Sequence, residues 1–226
     1  METIEERAFY KLKSLERVQI AGGLKTIGKR AFWLCDNLTT VSLPDGVTSI
    51  GEEAFKECSS LTTINLPNSI TTIGEEAFKE CSSLTTINLP NSITTIGANA
   101  FNGTKLTGPL NIPSSLVSLG DNAFHGCSGL TGTLVFPAAM ENISTDVFAG
   151  CSGIEEIILP RGVLTIGAGA FNNCSGVQRL WLTNSIQSIG VNAFNGMKSL
   201  KKVYFSGTIL EWETGCLLYT SPSPRD

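Results

Sequence analysis

The stretch IGEEAFKECSSLTTINLPNSITT runs from Ile50 to Thr72 and is followed by an identical stretch from Ile73 to Thr95. The same pattern returns along almost the whole chain, and its phenylalanine marks the period. Seven intervals of 23 residues and one of 24 separate the nine phenylalanines: Phe9, Phe32, Phe55, Phe78, Phe101, Phe124, Phe148, Phe171 and Phe194. A fixed period of this length is typical of a solenoid, whose repeats form stacked coils. We expect the nine rings to form its structural core.

Each repeat contains a leucine-rich strand pattern. In the first of the two identical repeats, the apolar Ile64 and Leu66 alternate with the polar Thr63 and Asn65. Alternation of this kind predicts a strand with one buried face and one solvated face. Pro67 is expected to end the strand, because proline has no N–H group to donate to a neighbouring strand.

The rest of the repeat predicts the other sides of the coil. A second short apolar alternation, at Ile70 and Ile73, predicts a brief strand. Gly51 is expected to turn the chain, since glycine tolerates positive φ. Residues 52–58 begin with two glutamates, which a helix dipole favours at a helix start, and are predicted to form short helical turns.

The repeat resembles a known family. The segments SIGEEAFKECSSLTTINLP, from Ser49 to Pro67, and TIGAGAFNNCSGVQRLWL, from Thr165 to Leu182, are similar to the BspA-like leucine-rich repeats. The resemblance implies an α/β solenoid: a right-handed superhelix with a parallel β-sheet on the concave side. It also implies a cell-surface or extracellular protein that takes part in adhesion to host or neighbouring-cell surface proteins. It offers no catalytic residues.

Residues 1–215 are predicted to form a single solenoid domain of about nine coils, as a fragment of a longer protein. Some copies depart from the pattern: Thr104 replaces a cysteine, one residue is inserted in LTGTLVFP, and Ser144 replaces a glycine. We expect a bulge or a change of twist near residues 104–147. The last residues, Cys216–Asp226, resemble a translated sequencing-library adapter and are expected to be a non-native, disordered tail; a natural disordered tail is the alternative.

The composition narrows the function classes. The net charge of −4 argues against broad nucleic-acid binding. The chain has no run of about 20 apolar residues, so the sequence does not predict a membrane-spanning segment. The only histidine is His125, and the repeat pattern places no nucleophile or acidic residue beside it for catalysis. Glu52 and Glu53 could serve as an acid–base pair, but they are repeat residues at a predicted helix start. We therefore predict no enzyme activity, no cofactor and no obligate oligomer.

Six cysteines occupy one position of the repeat: Cys35, Cys58, Cys81, Cys127, Cys151 and Cys174. Other copies hold Leu12, Thr104 or Met197 there, which are packing residues. Zinc needs ligands that converge on one point, which a row with one cysteine per coil does not provide. The favoured interpretation is buried free thiols and no metal site, with some disulfide formation or a metal row as the alternatives.

The solvated face of the strands changes character along the chain. The residue between the last two buried strand positions is polar in the first five coils and apolar or aromatic in the last four, where it is Val135, Ile158, Trp181 and Tyr204. Glu156, Arg179 and Lys202 lie two positions before Ile158, Trp181 and Tyr204. Tryptophan, tyrosine and arginine are the residues that most often anchor interfaces, and a contiguous exposed apolar patch usually has a partner.

These six residues, Val135, Ile158, Arg179, Trp181, Lys202 and Tyr204, are named the Trp181 patch, and we predict that they bind a partner protein. The alternative is that this end of the chain packs against further repeats or a second domain. The predicted function is a non-enzymatic module for protein recognition or adhesion. The other function class is a structural spacer, which would tolerate added or deleted coils.

Overall fold

The computed structural model describes residues 1–206, which form a solenoid of parallel strands. One column of two-residue strands, the short-strand column, runs up one side of the coils. Its members are β1 (Thr3–Ile4), β3 (Thr26–Ile27), β5 (Ser49–Ile50), β7 (Thr72–Ile73), β9 (Thr95–Ile96), β11 (Ser118–Leu119), β13 (Asn142–Ile143), β15 (Thr165–Ile166) and β17 (Ser188–Ile189). The predicted brief strand at Ile73 is β7, so that prediction is confirmed.

The leucine-rich strands form a second column, the long-strand column. Its members are β2 (Arg17–Gln19), β4 (Thr40–Ser42), β6 (Thr63–Asn65), β8 (Thr86–Ile87), β10 (Thr107–Pro109), β12 (Gly129–Val135), β14 (Ile154–Ile158), β16 (Arg179–Thr183) and β18 (Lys202–Ser206). Strand β6 has the predicted alternation, since Ile64 is buried between the exposed Thr63 and Asn65. Successive strands pair in parallel, and Ile64 lies beside Val41 and Ile87.

The phenylalanine rings form one continuous stack inside the coils. Successive ring centroids are 4.9 Å apart at Phe9 and Phe32 and 6.2 Å apart at Phe148 and Phe171. Interplanar angles along the stack do not exceed 13°. The rings from Phe32 to Phe171 are buried, whereas Phe9, in the first coil, is 36% exposed. One coil of this length cannot enclose its own apolar side chains, so the core exists only between neighbouring coils.

The predicted helical turns are wrong, and so is the α/β class, because residues 1–206 contain no helix. Between residues 53 and 57, every second amide donates to a carbonyl of the next coil at 2.8 Å. The amides between them donate to the carbonyl three residues back, as in consecutive tight turns. Glu53 and Glu57 have φ of 55° and 59°. In an α-helix every residue is right-handed, and the backbone amides donate to carbonyls of the same segment. The left-handed residues and the hydrogen bonds between coils therefore exclude a helix here.

A sequence signal for these turns exists in the second half of the chain. The two left-handed positions hold asparagine, aspartate or glycine in every coil from Phe101 onward, namely Asn99, Gly103, Asn122, Gly126, Asp146, Gly150, Gly169, Asn173, Asn192 and Gly196. These residue types adopt positive φ at the lowest cost. Their recurrence at four-residue spacing predicts paired left-handed turns rather than a helix.

The predicted reason for Gly51 is also wrong, since its φ is not positive. A Cβ atom at Gly51 would lie 2.8 Å from the carbonyl carbon of Gly28, in the preceding coil. The equivalent Gly74 has the same relation to Gly51, at 2.6 Å. Glycine is needed here because the backbones of successive coils approach too closely for any side chain.

The predicted irregularity near residues 104–147 is confirmed. Both columns divide there, because β8 does not pair with β10 and β11 does not pair with β13. The register also shifts between Gly132 and Thr133, where β12 pairs with β14. The solenoid thus has two stacks of sheets, and the Trp181 patch lies on the second. The predicted tail, residues 216–226, and residues 207–215 of the predicted solenoid lie outside the described residues.

Glu80 offers a direct test of the left-handed turns. Its φ is 59°, and its side chain makes no hydrogen bond or ion pair within residues 1–206. Replacing it by glycine should stabilise the protein by about 1 kcal/mol, because glycine removes the cost of a left-handed side-chain residue. Urea unfolding would measure the change. The control is Glu75→Gly, at an exposed residue of the same turn without positive φ, which should lose about 0.5–1 kcal/mol. Equal losses at both positions would contradict the expectation.

Candidate functional site

The strand register brings all six residues of the Trp181 patch together on the long-strand column. Val135 lies beside Ile158, which lies beside Trp181, which lies beside Tyr204. A parallel row two positions earlier contains Thr133, Glu156, Arg179 and Lys202. The patch therefore consists of two adjacent rows across strands β12, β14, β16 and β18, one apolar or aromatic and the other polar.

Trp181 and Tyr204 are the centre of the apolar row. Their ring centroids are 3.9 Å apart, and the rings are stacked within 12° of parallel. Trp181 is 39% exposed, Val135 is 51% exposed, and Ile158 and Tyr204 are half-buried. The rings cover one face of each other, so they present their edges and outer surfaces to a partner. Stacking of this kind stabilises the orientation of both rings.

Glu156 organises the polar row. One of its carboxylate oxygens accepts hydrogen bonds from Arg179 Nε and from Trp181 Nε1, both at 2.8 Å. The other accepts from Thr133 Oγ1 at 3.1 Å and from an Arg179 terminal nitrogen at 3.3 Å. Hydrogen bonds from Arg179, and then from Trp181, lower the pKa of Glu156 to about 2. Glu156 thus remains a carboxylate at neutral pH and holds the side chains of both neighbours in place.

The repeat pattern places Glu156 in the row beside the patch, but Glu156 was not among the predicted site residues. A signal was present, because Glu156 precedes Arg179 by 23 residues and the period places such residues side by side. Opposite charges facing each other on neighbouring strands attract. The pairing changes the role of Arg179, whose guanidinium is already engaged with a carboxylate. Lys202 is exposed and forms no ion pair within residues 1–206.

A pocket of about 240 Å³ adjoins the patch at the coil before it. Val135 and Thr133 line one of its sides, so it is continuous with both rows of the patch. Its remaining lining residues are Leu110, Asn111, Ile112, Ser114, Phe136 and Pro137. The irregular coil after Phe101 supplies Leu110 to Ser114, and the pocket lies just beyond Pro109 and Thr131, where the pairing of β10 with β12 ends.

The other candidates from the sequence occupy structural positions. All six repeat cysteines are buried, and Cys58 Sγ donates to the Phe32 carbonyl of the preceding coil at 3.1 Å. Burial raises the pKa of Cys127 to about 11 and that of Cys174 to about 12. The chain forms no group of three His, Cys, Asp or Glu residues that could hold a metal ion within residues 1–206.

The acidic pair and the histidine lie elsewhere on the coils. Glu52 pairs with Lys29 at 2.8 Å, and Glu53 pairs with Arg30 and Lys56. The carboxylates therefore belong to ion pairs between and within coils. His125 is exposed. Over residues 1–206, the structure has no helix long and apolar enough to cross a membrane.

The low pKa of Glu156 predicts that the stability contributed by its hydrogen bonds from Arg179 and Trp181 depends on pH. Its folded pKa of about 2 lies below the unfolded value of about 4.3, so the carboxylate stabilises the fold fully above about pH 5. That contribution is lost as the pH falls from about 5 through about 2. The stability difference between the wild type and Glu156→Gln, measured by urea unfolding, should therefore shrink over this range. A difference independent of pH would contradict the assignment.

Comparisons with known proteins agree with this architecture. The chain matches the family described as BspA type leucine-rich repeat region (6 copies) over residues 2–131 and 108–222. No curated protein matches the chain. Leucine-rich repeat proteins of this kind generally bind other proteins and are typically not enzymes.

Several solved structures share the fold. A leucine-rich repeat protein from Bacteroides ovatus is 26% identical with a TM-score of 0.63, and the match covers 87% of this chain and 64% of that one. The T. pallidum leucine-rich repeat protein is 26% identical with a TM-score of 0.52, covering 97% and 78%. The pneumococcal vaccine antigen PcpA is 24% identical with a TM-score of 0.60, covering 92% and 61%, and shows the fold alone.

The chain thus spans under two thirds of the length of the Bacteroides ovatus protein, at 64%. The two family matches overlap and together extend from residue 2 to residue 222. Since they include the repeats that build both columns of strands, the chain belongs to the BspA-type leucine-rich repeat family.

Proposed function

We propose that the chain is a protein-recognition module and that the Trp181 patch is its contact surface. The observation that carries the proposal is the exposed Trp181, stacked on Tyr204 at 3.9 Å and hydrogen-bonded to Glu156 at 2.8 Å. Tryptophan, tyrosine and arginine are enriched among residues that dominate binding energy. Because contacts within the protein already orient these side chains, binding loses little side-chain entropy.

The proposed setting is the cell surface or the extracellular space, where the module adheres to proteins of a host or of neighbouring cells. Family membership supports this setting. No step of the proposed recognition needs a catalytic group, a cofactor or a second copy of the chain. The rigid stack of coils presents the patch, and the partner supplies the complementary surface.

The first experiment measures whether Trp181 is accessible in the whole natural protein. The chain contains three tryptophans, so Trp33 and Trp212 are replaced by phenylalanine to leave Trp181 as the only indole of this segment. If the natural protein has further tryptophans, these are replaced in the same way. Acrylamide should quench Trp181 fluorescence to the extent typical of a partly exposed indole. Complete shielding of Trp181 would mean that another part of the protein covers the patch, and the proposal would then be wrong.

The second experiment measures adhesion. Trp181→Ala should abolish binding of the protein to its target cells while the circular dichroism spectrum stays unchanged. Trp33→Ala is the matched control, because Trp33 lies on the turns, beside Tyr10 at 5.2 Å and Arg30 at 5.1 Å, and outside the patch. Loss of adhesion with both variants, or with neither, would contradict the assignment of the patch.

A structural spacer is the second candidate, and the two identical repeats favour it. Strands β5, β7 and β9 pair in the same register, so removing residues 73–95 would leave a coil that can pair with its new neighbour. A spacer predicts that this deletion preserves every function of the whole protein except its reach. It also predicts that Trp181→Ala has no effect on adhesion, which separates it from the recognition module.

A further inference from the structure

We infer that the Trp181 patch and the adjoining pocket form one groove that takes an extended segment of the partner protein, with an apolar residue at one end and acidic residues at the other. The inference rests on the proposed recognition function and specifies its ligand. The groove runs across the strands, from the pocket at β10 and β12 through Ile158 to Trp181 and Tyr204.

The length of the groove sets the length of the segment. The groove crosses five strands, β10, β12, β14, β16 and β18, and therefore four gaps between strands. Neighbouring strands lie about 4.8 Å apart, which gives about 19 Å in total. An extended chain rises about 3.3 Å per residue, so about six residues reach from one end to the other.

The pocket defines the apolar end. Leu110, Ile112, Val135, Phe136 and Pro137 supply apolar walls, and the volume is about 240 Å³. Pockets for drug-sized ligands and cofactors usually have about 300–1,000 Å³. The pocket is therefore better matched to a single apolar side chain of a larger partner, such as leucine, isoleucine or phenylalanine.

Charge defines the other end. Lys198, Lys201 and Lys202 are exposed and form no ion pair within residues 1–206. The Arg179 charge is already balanced by Glu156. Among residues 1–206, the exposed carboxylate nearest in sequence to these lysines is Glu155, which lies two coils before Lys201. Within the described part of the chain, the end at β18 therefore carries unbalanced positive charge beside the aromatic pair. Opposite charge on a partner stabilises such a surface and speeds association.

The stacked rings favour a protein segment over a nucleic acid, which also carries negative charge. Proteins that bind single strands stack bases on exposed aromatic faces. Here Trp181 and Tyr204 stack on each other at 3.9 Å, so one face of each ring is closed to a base, and the net charge of −4 adds repulsion of a nucleic acid. Asp and Glu side chains of a protein segment supply negative charge and do not need to stack on an aromatic ring.

The test is a selection of phage-displayed random peptides on the purified full chain. Enriched peptides should contain Asp or Glu separated from Leu, Ile or Phe by four or five residues, because about six extended residues span the groove. The best peptide, fluorescently labelled, should lose at least about tenfold in affinity for Lys202→Glu, measured by anisotropy. Lys25→Glu, an exposed lysine on the short-strand side, is the matched control and should bind as the wild type does.

The outcomes separate this inference from the proposed function. Enriched peptides without acidic residues, with binding that is lost in Trp181→Ala but unchanged in Lys202→Glu, would overturn the inference and leave the recognition function standing. The same holds if no peptide is enriched while Trp181→Ala still abolishes adhesion. Tighter binding of a single-stranded DNA oligonucleotide than of any selected peptide would also overturn it. Failure of the adhesion experiment itself would remove both.

Discussion

Replacing Phe124 by alanine is expected to lower the free energy of unfolding by about 3–5 kcal/mol, the usual cost of deleting a buried phenylalanine ring. The Phe124 ring is 1% exposed and stacks on Phe101 at 5.0 Å and on Phe148 at 5.2 Å. Truncation removes both stacking contacts and leaves a cavity between three coils. The neighbouring backbones cannot close it, because hydrogen bonds between coils hold their separation.

Urea unfolding followed by circular dichroism would measure the effect. Phe9→Ala is the control, because Phe9 has a single stacked partner and is 36% exposed, so the loss should be less than half as large. The stability of a stacked array is a sum over coils and their interfaces. Phe124→Ala should therefore also broaden the transition, as the coils on either side become uncoupled. A loss below about 1 kcal/mol would show that the stack is not the core.

Replacing Gly97 by alanine is expected to cost about 3 kcal/mol or more, above the usual range for overpacking, because the collision is with backbone. The new Cβ atom would lie 2.4 Å from the backbone nitrogen of Glu75 and 2.7 Å from the carbonyl carbon of Gly74. Gly97 also donates its N–H to the Ile73 carbonyl at 2.8 Å. The coils must separate to admit the methyl group, and this hydrogen bond would stretch.

Alanine substitutions at two other glycines serve as controls, because they replace a glycine without a collision between coils. Gly22 does not have a left-handed φ, and a Cβ atom added there would have no neighbour within 4 Å. Gly22→Ala should therefore be neutral or slightly stabilising. Gly126 also has open space but a φ of 76°, so Gly126→Ala should cost only about 1–2 kcal/mol of backbone strain. If the unfolding free energy of Gly97→Ala equalled that of Gly126→Ala, close approach of the coils would not be the reason for the glycine.

Much of the candidate site could be predicted from the sequence. The two rows that contain Trp181 and Arg179 follow from the 23-residue period alone, because residues one period apart lie side by side in a stacked coil. The sequence did not predict how Glu156 divides its hydrogen bonds between Arg179 and Trp181. That arrangement depends on side-chain conformations across the gap between β14 and β16, which a repeat pattern does not specify.

The turns show a different kind of failure. Residues 52–58 have the composition of a helix start, and local propensity favoured that interpretation. In the folded chain the amides of Glu53 and Glu57 donate to the next coil instead. Stacking offers these groups an acceptor that no isolated segment has, and the left-handed residues are the consequence.

The amino-acid sequence by itself determined the length of a coil, the number of coils and the side chains that share each row, since a constant period leaves one way to stack neighbours. Only the tertiary structure decided the spacing between coil backbones, and that spacing has two consequences. It requires glycine at Gly97, and it replaces helical hydrogen bonds with bonds between coils. The physical reason is that periodicity specifies which groups are neighbours, whereas distances depend on how all of those neighbours pack together.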